Sequence, residues 1–226
     1  MKLGVLFSGG KDSSYACYRA MEGEEVTCLI TVSSRNPDSY MFHTPNIRWT
    51  RLQAEAAGLP LVEVMSAGEK EVELDDLRRA LFIAHEEYGV EGVVTGAILS
   101  VYQASRIQKI CKALDLWCFN PLWHTDQEAY MSRLLKHGFQ VIISGVFSAP
   151  FDEFWLGKEI NKGVLSDLLR FSRTYGITLT GEGGEYETFT CDAPFFRNRI
   201  EILNANVEYH NFHGRYEITE AQVIEK

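Results

Sequence analysis

The chain has 226 residues, 46% of them hydrophobic and 23% charged, enough apolar material for one large α/β domain or a standard domain with a smaller partner. That balance excludes a disordered or fibrous chain. A formal net charge of −9 removes the overall positive field that gathers nucleic acid, so no general nucleic-acid binding is expected.

Residues 2–7 open the chain as a short apolar run ending on Ser8-Gly9-Gly10, which reads as a buried parallel strand running into a turn. The run is too short for the apolar core of a secretory signal. A helical face follows in Ala16, Cys17, Ala20 and Met21, and strand-like runs come at residues 26–32, 61–65 and 92–95. Leu74, Leu77, Leu81, Ala84 and Tyr88 step by three and four, as do Ala104, Ile107, Cys111 and Leu114, which marks two more helices. Gly23, Gly58 and Gly89 stand where glycines end helices. This alternation predicts an α/β fold with a doubly wound parallel sheet, binding ligands at the carboxyl ends of its strands.

A last strand-like run at residues 117–119 leads to a boundary at Pro121, dividing the chain into residues 1–121 and 122–226. The second part differs in texture. Residues 139–146 read as a strand, 164–175 as an amphipathic helix, and the alternation in 199–203 and 207–209 as antiparallel strands with one solvated face. A smaller C-terminal α+β domain is expected. No stretch approaches the ~20 apolar residues of a membrane span, so no membrane association is expected. Cys17, Cys28, Cys111, Cys118 and Cys191 are odd in number and hold no Cys-x-x-Cys pair. A disulfide scaffold and a zinc or iron–sulfur site are therefore not expected, and a cytoplasmic location is. The oligomeric state stays open between monomer and homodimer.

Ser8-Gly9-Gly10-Lys11-Asp12-Ser13 follows the first strand directly and opens the first helix. Glycines let backbone N–H groups approach an anion closely, and a helix N-terminus adds free donors and a favourable dipole. Ser8, Ser13 and Ser14 supply hydroxyls, and Lys11 supplies a positive charge. A tight serine-capped turn is the bland alternative, but six suitable residues in a strand–turn–helix setting favour phosphate binding. A Walker A loop is excluded, since Val5 stands where its first glycine belongs and Asp12 where its Ser or Thr belongs.

The string instead resembles the S-G-G-x-D-S loop of the N-type ATP pyrophosphatases, which implies a sheet of the adenine-nucleotide alpha-hydrolase (HUP-like) type. Those enzymes split ATP between its α- and β-phosphates and adenylate a substrate oxygen. Three more strings narrow the likeness: Gly181-Glu182-Gly183-Gly184-Glu185-Tyr186-Glu187-Thr188-Phe189, residues 96–103 before Arg106, and residues 39–46 around His43. Together with the loop they are similar to the diphthine–ammonia ligase family, over essentially the whole chain. That family amidates diphthine on translation elongation factor 2 with ammonium to complete diphthamide, releasing AMP and pyrophosphate.

The resemblance implies ATP and Mg2+ as cofactors, with Asp12 at the metal. It places Ser8, Gly9, Gly10, Lys11, Asp12, Ser13, Ser14, Gly96 and Arg106 around the nucleotide. Catalytic roles fall to Lys11, Asp12, Glu182, Glu185 and Glu187, with Glu185 favoured for ammonium and Glu182 for a substrate contact. His43, Tyr102, Gln103, Gly183, Gly184, Tyr186 and Thr188 are carried over as substrate contacts. Gly96 reads as a close-approach position, because a side chain there crowds a nucleotide. Trp123, Trp155, Tyr186 and Phe189 read either as core or as faces for the quaternary ammonium of diphthine. The absence of an N-terminal cysteine, and of room for an amidase domain, leads to free ammonium as the expected nitrogen source. Two other readings stay open: a related pyrophosphatase acting on tRNA or a nucleobase, and a non-catalytic nucleotide sensor.

Overall fold

Residues 1–34, 46–68 and 72–226 are described by a computed structural model of the protein. The apolar run at the start forms β1 (Lys2–Leu6), and α1 (Lys11–Met21) leaves it across the glycine turn. The chain continues through β2 (Glu25–Ser34), a 3₁₀ turn at Ile47–Trp49, α2 (Thr50–Ala57), β3 (Leu61–Ser66) and α3 (Val72–Tyr88). It then forms β4 (Gly92–Val94), α4 (Val101–Ala113) and β5 (Trp117–Phe119). These five strands make one sheet in the order β3-β2-β1-β4-β5, with every pair parallel. The order reverses at β1, and that reversal opens a crevice at the strand ends where β1 and β4 part.

The remaining elements are α5 (Gln127–Lys136), β6 (Gln140–Val146), α6 (Lys162–Tyr175), β7 (Tyr186–Asp192), β8 (Arg199–His210) and β9 (His213–Ile224). Their strands form a second, antiparallel sheet in the order β7-β6-β9-β8. The two sheets share a core. Leu3 and Val5 of β1, Tyr15 and Ala16 of α1 and Tyr130 of α5 pack in one cluster with Val141, Ile143, Leu168 and Phe189. The other face of the parallel sheet is covered by α3 and α4 through Leu77, Leu81, Ile107 and Cys111. Among the described residues, no helix is long and apolar enough to cross a membrane.

Several sequence expectations need correction. The helix ending at Gly58 is α2, whose buried face is mainly alanines (Ala54, Ala56, Ala57) and has no periodic apolar signal, while α5 was not expected: it is a short helix whose start is set by Asp126, which accepts from Ala129 N–H at 2.8 Å. The two stretches read as separate strands at 199–203 and 207–209 are one strand, β8, carried past its irregular register near Asn204 by pairing with β9. Gly58 and Gly89 do end helices in the left-handed region, at φ 66° and 63°, whereas Gly23 does not adopt it. Trp155 and Phe189 are core side chains; Trp155 packs edge-on against Phe151. They form no aromatic face for a substrate cation.

Candidate active site

A cleft of about 520 Å³ opens at the carboxyl ends of β1, β2 and β4, with the first turn of α1 on one wall and residues 180–188 of the second domain on the other. Leu6, Ile30, Val32 and Ile107 give it an apolar floor. Seven of its lining groups, Ser8, Gly10, Lys11, Asp12, Ser13, Gly96 and Gln103, were expected from the sequence, as were Glu182, Gly183, Gly184, Tyr186, Glu187 and Thr188 opposite. Gly9, Ser14, Tyr102, Arg106 and Glu185 are not among the lining residues, and His43 lies outside the described residues.

The phosphate loop is stiffened from within. Ser13 Oγ accepts from Ser8 N–H at 3.2 Å and donates to Gly10 C=O at 3.1 Å. Gly10 is the N-cap of α1 and has no side chain to cap it; the Thr188 hydroxyl takes the Lys11 N–H, which leaves the Asp12 and Ser13 amides for a ligand. Ser14 faces the other way: its hydroxyl bonds Thr190 Oγ1 at 3.0 Å, which makes it a tie between domains rather than a phosphate donor. Gly96 is needed for a reason other than the nucleotide. A Cβ there would lie 2.8 Å from the carbonyl carbon of Asp12 and from the amide nitrogen of Ser13, so the glycine admits the first turn of α1.

Lys11 is 2% exposed, and its ammonium donates to Asp12 Oδ2 at 2.8 Å and to the Thr180 carbonyl. Its backbone N–H donates to Thr188 Oγ1 at 3.0 Å. Lys11 therefore fastens the phosphate loop to the second domain, where the sequence had suggested a free point charge. The other oxygen of Asp12 accepts from the Tyr130 hydroxyl at 2.8 Å. Burial, reinforced by the Asp12 charge, pushes the Tyr130 hydroxyl well above its ordinary range, so it stays a donor.

The three glutamates of the acidic turn diverge. Glu182 Oε1 accepts from the N–H groups of Leu99 and Ser100 at 3.0 Å each and of Ile98 at 3.4 Å, closing the turn onto the loop before α4. Glu185 accepts from Thr178 N–H at 2.6 Å and from its hydroxyl at 2.8 Å. It staples its own turn and does not reach the cleft, so the preference for Glu185 at ammonium is not carried by the geometry. Glu187 lines the cleft, and its Oε2 is buried with no hydrogen-bond partner among the described residues. Burial raises its carboxyl to about 7, against the opposing charges of Arg215 and Lys11.

Arg106 stacks on the Tyr102 ring, 3.6 Å from its centroid, and neither residue lines the cleft. No local pattern singles out Tyr130, Gln127 or Gln53. Gln127 Oε1 accepts from Thr180 N–H and hydroxyl at 3.2 Å, and Gln53 donates to Gly9 C=O at 2.9 Å and Thr190 C=O at 2.8 Å. All three sit on the two helices that lacked a periodic signal. Among the described residues, no group of three or more His, Cys, Asp or Glu side chains is placed to hold a metal ion by itself.

A doubly wound parallel sheet of order β3-β2-β1-β4-β5, with a glycine-rich loop after β1 and an acidic turn facing it from an antiparallel domain, defines a two-part α/β protein whose cleft lies between its parts. The model of the diphthamide synthase N-terminal domain matches residues 1–117, and that of the diphthamide synthase C-terminal domain matches residues 126–224. The chain is 36% identical to a diphthine–ammonia ligase of Danio rerio, covering 93% of this chain and 90% of that protein. It is 35% identical to one of Bos taurus and 34% to one of Homo sapiens, each over 93% of this chain and 86% of the relative. The chain belongs to the diphthine–ammonia ligase family. Among solved structures, a predicted subunit of tRNA methyltransferase from Methanocaldococcus jannaschii aligns at TM-score 0.46 and 15% identity, covering 85% of this chain and 98% of that one. A 4-thiouridine synthetase–RNA complex with bound ATP aligns at TM-score 0.41 and 15% identity, covering 84% and 55%.

Proposed function

We propose that this protein amidates the carboxylate of diphthine on translation elongation factor 2, using ATP and ammonium and releasing AMP and pyrophosphate. The reading is carried by one juxtaposition: the helix-start amides of Gly10, Asp12 and Ser13 line the same cleft as Glu187, a half-buried side chain whose Oε2 has no hydrogen-bond partner among the described residues. In this reading the loop grips the β- and γ-phosphates, and the apolar floor of Leu6, Ile30, Val32 and Ile107 receives the adenine. A substrate carboxylate oxygen attacks the α-phosphorus, and pyrophosphate leaves with its charge on the helix donors. Ammonium then gives a proton to Glu187, and the ammonia attacks the acyl carbon while AMP departs. A carboxyl near 7 suits that exchange at neutral pH.

Asp12 fits a Mg2+ that arrives with the nucleotide, because Mg2+ keeps several waters and needs one or two carboxylates besides substrate phosphates. When bound, the ion would neutralise charge on the departing pyrophosphate. Thr180, Glu182, Gly183, Gly184 and Tyr186 form the wall that would meet the substrate, in a division of labour between residues 1–121 and 122–226. Both walls come from one chain, so the site needs no second copy, and a cytoplasmic location matches a translation factor as substrate.

The test is to incubate the protein with ATP, Mg2+, ammonium and diphthine-bearing elongation factor. Amide should appear by mass, in step with AMP. ADP in place of AMP would indicate acyl-phosphate chemistry and overturn the reading.

A further inference from the structure

The peptide joining Gly9 to Gly10 is held from behind. Gly9 C=O accepts from Thr190 N–H of β7 at 2.9 Å and from Gln53 Nε2 of α2 at 2.9 Å. In a planar trans peptide the carbonyl and the following N–H point in opposite directions. Two donors on the Gly9 oxygen, both outside the cleft, therefore aim Gly10 N–H away from them and toward the cleft that Gly10 lines. Among the described residues no group accepts from that N–H. A Gly-Gly peptide turns over easily, because glycine tolerates either sign of φ. Turned over, it would present a carbonyl oxygen to the phosphates where an N–H now stands.

Gln53 is fully buried, and its second donor contact, to Thr190 C=O at 2.8 Å, locks it to β7. Its Oε1 has no hydrogen-bond partner among the described residues. A space-filling Leu or Met would avoid that orphaned acceptor, so the amide is present for its donors. The fit also explains Gly9: at φ 79°, a Cβ there would lie 2.2 Å from Gln53 Oε1.

From this geometry we infer that Gln53 is a positioning residue that fixes the orientation of the Gly9–Gly10 peptide, and so selects a polyphosphate anion over a neutral ligand at the loop. The inference rests on the phosphate role proposed for residues 8–14.

Calorimetric titration of inorganic pyrophosphate and of adenosine tests it, on the natural protein, Gln53→Met and Trp49→Phe. The last variant removes a different tie across the same seam, Trp49 Nε1–H to Ile218 C=O at 2.9 Å. Gln53→Met should weaken pyrophosphate about tenfold or more, the scale of a lost charge-assisted contact, and leave adenosine within about twofold. Trp49→Phe should change neither. Equal pyrophosphate affinity in Gln53→Met, or parallel loss of both ligands, overturns the inference. A natural protein that binds adenosine but not pyrophosphate overturns the phosphate role itself, and the inference with it. Should Gln53→Met fail to fold, the natural protein labelled with 15N-glycine decides: the Gly10 amide resonance must move when pyrophosphate is added, and an unmoved resonance refutes the claim.

Discussion

Replacing Glu187 by Gln removes one titration and one proton acceptor while keeping the side chain's shape, so stability and catalysis should move in opposite directions. The carboxyl rises from an ordinary 4.5 to about 7 in the folded protein, chiefly through burial. At 1.36 kcal/mol per pH unit this corresponds to about 3 kcal/mol between protonation states, and to about 2 kcal/mol once contact of part of the side chain with water is allowed for. The sign follows from linkage. A carboxyl raised on folding binds more protons in the native state, so it costs nothing below about 4.5, costs progressively more up to about 7, and is constant above. The natural protein should therefore lose about 2 kcal/mol of unfolding free energy between pH 4.5 and 8 from this group. Glu187→Gln should not lose it. Urea unfolding of both proteins across that range measures the difference directly. In the ligase assay the variant should keep its ATP affinity and lose on the order of 10²–10³ in amidation rate. Hydroxylamine, a stronger and neutral nucleophile, should restore part of it. A variant whose stability falls with pH in parallel with the natural protein, or which amidates at the natural rate, refutes the assignment.

Arg215→Met removes a charge that holds the Glu187 carboxyl down, so the rising limb of amidation rate against pH should move to higher pH with ATP affinity unchanged; a limb that stays in place counts against the pairing. Gly96→Ala drives a methyl into the backbone of the first turn of α1 and should cost about 1–3 kcal/mol in unfolding free energy together with ATP affinity, both read by thermal shift with and without nucleotide. Asp12→Asn keeps the Tyr130 contact but takes the counter-charge from the buried Lys11 ammonium, and should lower ATP–pyrophosphate exchange by on the order of 10² and cost about 1–3 kcal/mol in unfolding free energy. Exchange at the natural rate would remove Asp12 from the adenylation step.

Much of this molecule could be read locally. The glycine-rich loop is one contiguous segment whose conformation follows from its glycines and from the helix that starts on it, so the place of Ser8, Gly10, Asp12 and Ser13 on the cleft was legible without a structure. The parallel strands announced themselves as short apolar runs because both their faces are buried. The Glu-Gly-Gly-Glu-Tyr-Glu string was equally visible, but the fates of its three carboxylates were not. Glu182, Glu185 and Glu187 are chemically identical and nearly adjacent, and only the surrounding fold sends one to the amides before α4, one to Thr178 and one to the cleft with an oxygen that no described residue bonds.

Pairing across long sequence separations was invisible for the same reason. Lys11 meets Thr180, Gln53 meets Thr190 and Tyr130 meets Asp12 through contacts that no local pattern encodes. Two of these partners lie on α2 and α5, whose buried faces are too short or too rich in alanine to leave a periodic trace. The residue types and the loop were set by the sequence itself. Which donor faces which acceptor was decided by the docking of the antiparallel sheet on α1 and α2, because the surroundings, not the residue type, determine whether a carboxylate is tied to amides or left buried without a hydrogen bond.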